Sequence, residues 1–263
     1  MIKYKIKLEY EGSCYSGWQI QKNSKSIQGI LIDAVKKITN SDKVELIGSG
    51  RTDKGVHALE QVAHLSLDKY FNPTNLKYAI NDSLPYDINI LSIEQTDIKF
   101  HARHDAIARS YIYQISNFRS AFLKPYIWWI KDNLDLKKMQ EAANCLVGLH
   151  DFKNFSKIDD KNISTNVMVY SSELKEIDNI IVFRIKASHF LWNMVRRIVG
   201  NIVEIGRGNI SIQSFQNYLR NIEKPNDTYT APPSGLFLER IYYSKNEKES
   251  NLKPAINRNL WIS

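Results

Sequence analysis

The chain has 263 residues, 43% of them hydrophobic, enough to bury one large core or two of ordinary domain size. Its formal charge of +8 favours an acidic partner, nucleic acid first, because clustered lysine and arginine gain free energy by releasing phosphate counterions. The two cysteines, Cys14 and Cys145, exclude a disulfide framework or a zinc ribbon and fit a reducing, cytosolic setting, and no apolar run approaches membrane-spanning length.

In chain order, "MIKYKIKLEY" alternates apolar and charged residues, which predicts a half-buried strand over 2–10 instead of a secretory leader. "SIQGILIDAVKKI" puts Ile27, Ile30, Leu31, Ala34, Val35 and Ile38 on one helical face behind Ser26 as N-cap. A short strand at 44–47, a glycine-rich loop, a strand through 61–67, a helix after Pro73 and a strand at 88–93 follow. The order is β-α-β-β-α-β. The second half repeats it: a strand at 110–115, a helix at 136–146, a strand pair turning at Asp178 and Asn179, a long helix over 190–205 and a last strand at 235–243.

Two split βαβ units with antiparallel sheets are therefore expected, an α+β protein of two ferredoxin-like halves meeting around a central basic cleft. The halves are placed at 1–105 and 106–244, with a polar tail at 245–263 that runs loosely over the surface. Long loops are expected at 118–132 and 156–166.

The loop "GSGRTDKGVHA" (48–58) is the most specific stretch. A phosphate-binding loop would continue Gly-Lys-Ser/Thr, and here Gly55 is followed by Val56 and His57. A dinucleotide fingerprint would need a third glycine at Asp53 and a helix beyond it, whereas this loop joins two strands. What remains is a tight connection with Asp53 at its apex, where the neighbouring Arg51 cation favours the ionised carboxylate. Such an aspartate is a candidate nucleophile or base, although the loop alone favours a turn aspartate paired with a surface arginine, since glycine and aspartate are the ordinary turn residues.

The wider pattern weighs against that bland reading. "EYEGSCYSGWQIQ", "SIQGIL", "GSGRTDKGVHALEQVAHL", "FHARHDAIARSYIY", "GLHDFKNF", "FLWNMVRRIVGNIVEIG" and "TAPPSGLFL" occur in the order and near the spacing of the tRNA pseudouridine synthase A family, which the chain resembles up to Tyr243. The resemblance implies the pseudouridine synthase fold, a cytoplasmic isomerase and a tRNA substrate bound by its anticodon arm. Uridines at positions 38 to 40 would be converted to pseudouridine, with no cofactor or metal and no membrane partner, by a homodimer.

Carried over by motif, Asp53 is the catalytic aspartate, Tyr111 of "ARSYIY" stacks on the flipped target base, and Arg196 of "NMVRRIVG" pairs with the aspartate. On a helical wheel Trp192, Val199 and Val203 flank Arg196, Arg197 faces solvent or RNA, and Leu236 helps to shield the cleft. Arg51 holds phosphate or orients Asp53, and Arg103, Lys54 and His57 are further substrate contacts, with Arg109, Arg207, Lys22 and Lys25 as phosphate candidates. The histidines His57, His64, His101 and His104 lack a cysteine or acidic cluster that would complete a metal site, so packing or RNA contact is expected of them. Two rival classes stand beside this reading: a non-catalytic RNA-binding protein with the same cleft, and a metal-dependent nuclease, which a chelator would inhibit.

Overall fold

A computed structural model describes residues 1–157, 164–225 and 227–257. It is a mixed α+β protein whose chain divides into two units, 1–107 with 238–247, and 108–237 with 248–263. Among the described residues no helix is long and apolar enough to cross a membrane.

In the first unit, β1 (Ile2–Tyr10), α1 (Ile27–Thr39), β2 (Glu45–Gly48), β3 (His57–Leu67), α2 (Pro73–Ser83) and β4 (Ile88–Gln95) follow the expected order. β1 lies between β4 and β3, antiparallel to both, and β2 pairs with the far half of β3. The alternation of β1 decides its orientation. Tyr4, Ile6, Leu8 and Tyr10 are buried, while Lys5 and Lys7 meet Glu94 of β4 and Glu60 of β3 at 3.4 and 3.3 Å. Ser26 caps α1 by accepting the Gly29 N–H, and Asn72 caps α2 just before Pro73, whose ring suits a first helical turn.

In the second unit, β5 (Ala108–Ser116), β6 (Trp128–Trp129), α3 (Leu136–Asn144), β7 (Gly148–Asp151), β8 (Asn166–Ile177), β9 (Ile180–Ala187), α4 (Met194–Arg207) and α5 (Ile212–Leu219) precede β10 (Leu236–Tyr242), whose residues from Leu238 belong to the first unit. β5, β9, β8 and β7 are neighbours in that order and antiparallel, and β6 adds a short parallel piece to β5. Asp178 and Asn179, at φ of 52° and 60°, form the two-residue left-handed turn that suits a twisted hairpin.

The structure corrects the sequence reading in four places. α4 starts at Met194, four residues later than the apolar period implies, because Asn193 takes φ 61° and breaks the turn. Trp192 therefore lies outside the helix and is 54% exposed, so it does not flank Arg196 on a helical face. α5, β6 and β7 were not foreseen, and β6 falls inside the expected loop at 118–132. Finally, the tail is not loose over 248–257. Leu252 and Ile256 pack on a cluster of Ile112, Leu123, Ile127, Ile180 and Val182, Glu249 meets Arg184 and Lys186, and Gln114 exchanges hydrogen bonds with the Ile256 backbone. Of the loop expected at 156–166, residues 158–163 lie outside the described ones, as do 258–263 of the tail.

Candidate active site

The loop 49–56 runs from β2 to β3 and carries Asp53, half-buried, at its apex, with Arg51 and Lys54 exposed on either side. Thr52 is buried and Asp53 is half-buried. The segment between β1 and α1 grips this loop by its backbone. Trp18 N–H donates to the Thr52 carbonyl at 3.1 Å, and Gly55 N–H donates to the Tyr15 carbonyl at 3.3 Å. Close approach demands glycine at two points. A Cβ on Gly12 would stand 2.0 Å from the Val56 carbonyl oxygen, and one on Gly17, where φ is +98°, 2.4 Å from the Thr52 carbonyl oxygen.

Beneath the loop lies a set of buried polar side chains that sequence reasoning missed. Gln61 of β3 donates to the Gly50 carbonyl at 2.8 Å and accepts the Gly50 N–H at 3.4 Å, and Tyr10 at the end of β1 hydrogen-bonds Thr52 through its hydroxyl at 2.8 Å. A glutamine at an inward position of a strand was the one available signal, since a buried amide must find partners.

His57 was read as a substrate contact, but its side chain is 1% exposed and its Nδ1 accepts the Gly12 N–H at 3.0 Å. Its place in the unit is under the Gly12 turn. Arg103 is exposed in the turn 101–105, which is tied by His101 N–H donating to Asp105 and by His101 Nδ1 accepting the N–H groups of Arg103 and His104. His64 stands edge-on to His101 and His101 is tilted against His104, with ring centroids 4.7 and 4.2 Å apart in succession. Among the described residues the only group of three or more acidic, cysteine or histidine residues with ligand atoms in mutual reach is Glu11, Cys14 and Asp87, which contains no histidine.

Burial, then the Lys3 and His101 cations, push His64 down to about 4, and its Nδ1 accepts the Ala102 N–H. The folded pKa lies below the unfolded value, so this stabilisation is full above about pH 6.5 and is lost as pH falls toward 4, at most about 3 kcal/mol. Urea unfolding at pH 7 and pH 4.5 should show that loss, and His64→Asn, whose carbonyl can accept the same N–H, should flatten the pH dependence. An unchanged slope in the variant would place the acid sensitivity elsewhere.

In the second unit, Tyr111 of β5 is 8% exposed and stands edge-on to Phe190 at 4.9 Å. Two residues on, Tyr113 is fully buried and donates to the Pro232 carbonyl at 2.8 Å. Arg196, half-buried on α4, donates through Nε to the Ala231 carbonyl at 2.7 Å and through Nη1 to Asn193, so the "TAPP" segment is held by two side chains. Leu236 is buried at the start of β10.

Three residues expected to contact phosphate or RNA have partners inside the unit. Arg197 donates to the Ser156 carbonyl, Arg109 is buried and donates to the Ser188 carbonyl, and Arg207 pairs with Asp132 at 2.7 Å and with Glu204. Lys22 and Lys25 are exposed, the latter over the Tyr15 ring at 4.6 Å.

Comparison with known proteins places these features in context. The sequence model of the family described as tRNA pseudouridine synthase matches residues 7–105 and 142–244. The chain is 38% identical over 240 residues to tRNA pseudouridine synthase A of Thermoanaerobacter sp. (strain X514), covering 90% of this chain and 98% of that protein. It is 38% identical over 245 residues to tRNA pseudouridine synthase A of Acetivibrio thermocellus, covering 92% of this chain and all of that protein. Among solved structures, one from an archaeal box H/ACA sRNP Nop10-Cbf5 complex aligns over 77% of this chain and 42% of its own at 12% identity and a TM-score of 0.37.

Proposed function

The chain belongs to the tRNA pseudouridine synthase family, and on that premise we propose that it isomerises uridine to pseudouridine at positions 38 to 40 of the tRNA anticodon arm. The observation that carries the reading is the family match across 7–105, which includes the loop with Asp53 at its apex. It is an isomerase: the glycosidic bond from ribose C1′ to uracil N1 breaks, and C1′ rejoins the same base at C5. We assign the carboxylate work to Asp53, base stacking to Tyr111 and a supporting cation to Arg196. Arg51, Lys54 and Arg103 are exposed and suit phosphate contacts, which would make tRNA binding weaken steeply with salt. The working form is a cytoplasmic homodimer.

Incubation with unmodified tRNA transcripts, followed by pseudouridine mapping at nucleotide resolution, tests this. Modification confined to 38–40 is the expected result, modification elsewhere overturns the assigned positions, and none at all in the presence of tight binding favours a non-catalytic RNA-binding protein. For Tyr111, Phe keeps the ring and should keep most of the binding, while Ala should weaken tRNA binding by about 1 to 3 kcal/mol of lost stacking. An Ala variant that binds and reacts like the unaltered protein would make Tyr111 a core residue only.

A further inference from the structure

The side chains beneath the Asp53 loop are more polar than a core requires. Tyr10 and Gln61 are both buried, and both reach the loop within three residues of the carboxylate. The phenol is hydrogen-bonded to Thr52 and the Gln61 amide to Gly50, so the two side chains hold neighbouring parts of one loop. Burial raises the Tyr10 phenol far above its ordinary range, which keeps it neutral and restricts it to hydrogen bonding. Gln61 holds both the N–H and the carbonyl of Gly50, which fixes the two peptide planes that flank Gly50, and Tyr10 holds Thr52, so two of the three residues that lead into Asp53 are tied from below.

Thr52 is the residue next to Asp53, and its side chain is buried and hydrogen-bonded. A rotation at Thr52 would swing the carboxylate by more than the tolerance of a reacting pair, and misplacement by about 1 Å can cost about a hundredfold in rate. From these contacts we infer that Tyr10 and Gln61 are positioning residues for Asp53, acting through Thr52 and Gly50 to hold the carboxylate in one reactive geometry. The inference rests on the assignment of Asp53 as the catalytic group.

The test is steady-state turnover and tRNA binding for Tyr10→Phe and Thr52→Val, which keep the shapes of the two side chains and remove their hydroxyls, with Asp53→Asn measured alongside. Turnover at saturating tRNA should fall about 10- to 100-fold in each, while the dissociation constant for tRNA stays within about threefold. The double variant should be no slower than the slower single one, since both break the same link. Thr52→Ser restores a hydroxyl and should recover most of what Thr52→Val loses.

Saturated turnover within about twofold of the unaltered protein in both hydroxyl-removing variants overturns the inference, and so does a loss shared equally by binding and turnover. Failure of the underlying assignment is separable: it appears as an active Asp53→Asn, whatever Tyr10→Phe does.

Discussion

Asp53→Asn should bring pseudouridine formation below about one per cent of the unaltered rate while leaving tRNA affinity within about tenfold. The amide keeps the size of the side chain, and the backbone contacts that hold the loop do not involve the carboxylate: Trp18 N–H reaches the Thr52 carbonyl, and Gly55 N–H reaches Tyr15. Those backbone contacts remain available to the variant. What is lost is a charged oxygen able to attack or to take a proton, and an amide does neither. Residual turnover above about a per cent would remove Asp53 from the chemistry. Single-turnover pseudouridine mapping, with filter binding of the same tRNA, separates the two quantities.

The second large effect is expected at a residue with no side chain. At Gly17 φ is +98°, and an added Cβ would meet the Thr52 carbonyl oxygen at 2.4 Å and the Asp53 carbonyl carbon at 3.1 Å, backbone in both cases. Gly17→Ala thus combines backbone strain of about 1 to 2 kcal/mol with an overlap costing about 1 to 3 kcal/mol. A loss of about 2 to 5 kcal/mol in urea unfolding is expected, together with turnover reduced about a hundredfold, because the apex must move. Gly50 lies in the same loop, where a Cβ would meet nothing within 4 Å, so Gly50→Ala should change stability by less than about 1 kcal/mol. Equal stability of the two alanine variants would contradict this account.

What could be read from the sequence was local. The period of two in β1, the Ser26 cap and the Asp178–Asn179 turn are each specified by residues within one element, and the structure has all three. Asp53 at the apex of an inter-strand turn was legible for the same reason, because glycines flanking a polar apex have few other uses. The errors came where distant residues decide. Leu191 and Trp192 extend the apolar period of α4, yet asparagine at 193 tolerates the left-handed conformation that ends it. The tail reads as polar because its apolar anchors, Leu252, Pro254 and Ile256, alternate with exposed residues, and its acidic anchor Glu249 finds Arg184 from a strand 65 positions earlier. His57, Arg109, Arg197 and Arg207 look like surface contacts in a basic chain, and only the folded backbone gives each an internal acceptor, donor or counter-ion. Nothing in the order of residues announces that Tyr10 will meet Thr52 across 42 positions.

The division of the last stretch between the two units has a consequence for synthesis. Residues 238–247 complete the first unit and residues 248–257 pack on the second, although the first unit otherwise ends at residue 107. A ribosome releasing the chain from its N-terminus has exposed β1 to β4 long before the strand that finishes their unit exists. At about 5 to 20 residues per second, the 130 residues between Ile107 and Leu238 leave that unit without its last strand for about 6.5 to 26 seconds, within reach of chaperones and of other nascent chains. The first unit gains its last residues only when translation has passed residue 247, and the second gains its packed tail segment only about ten residues later.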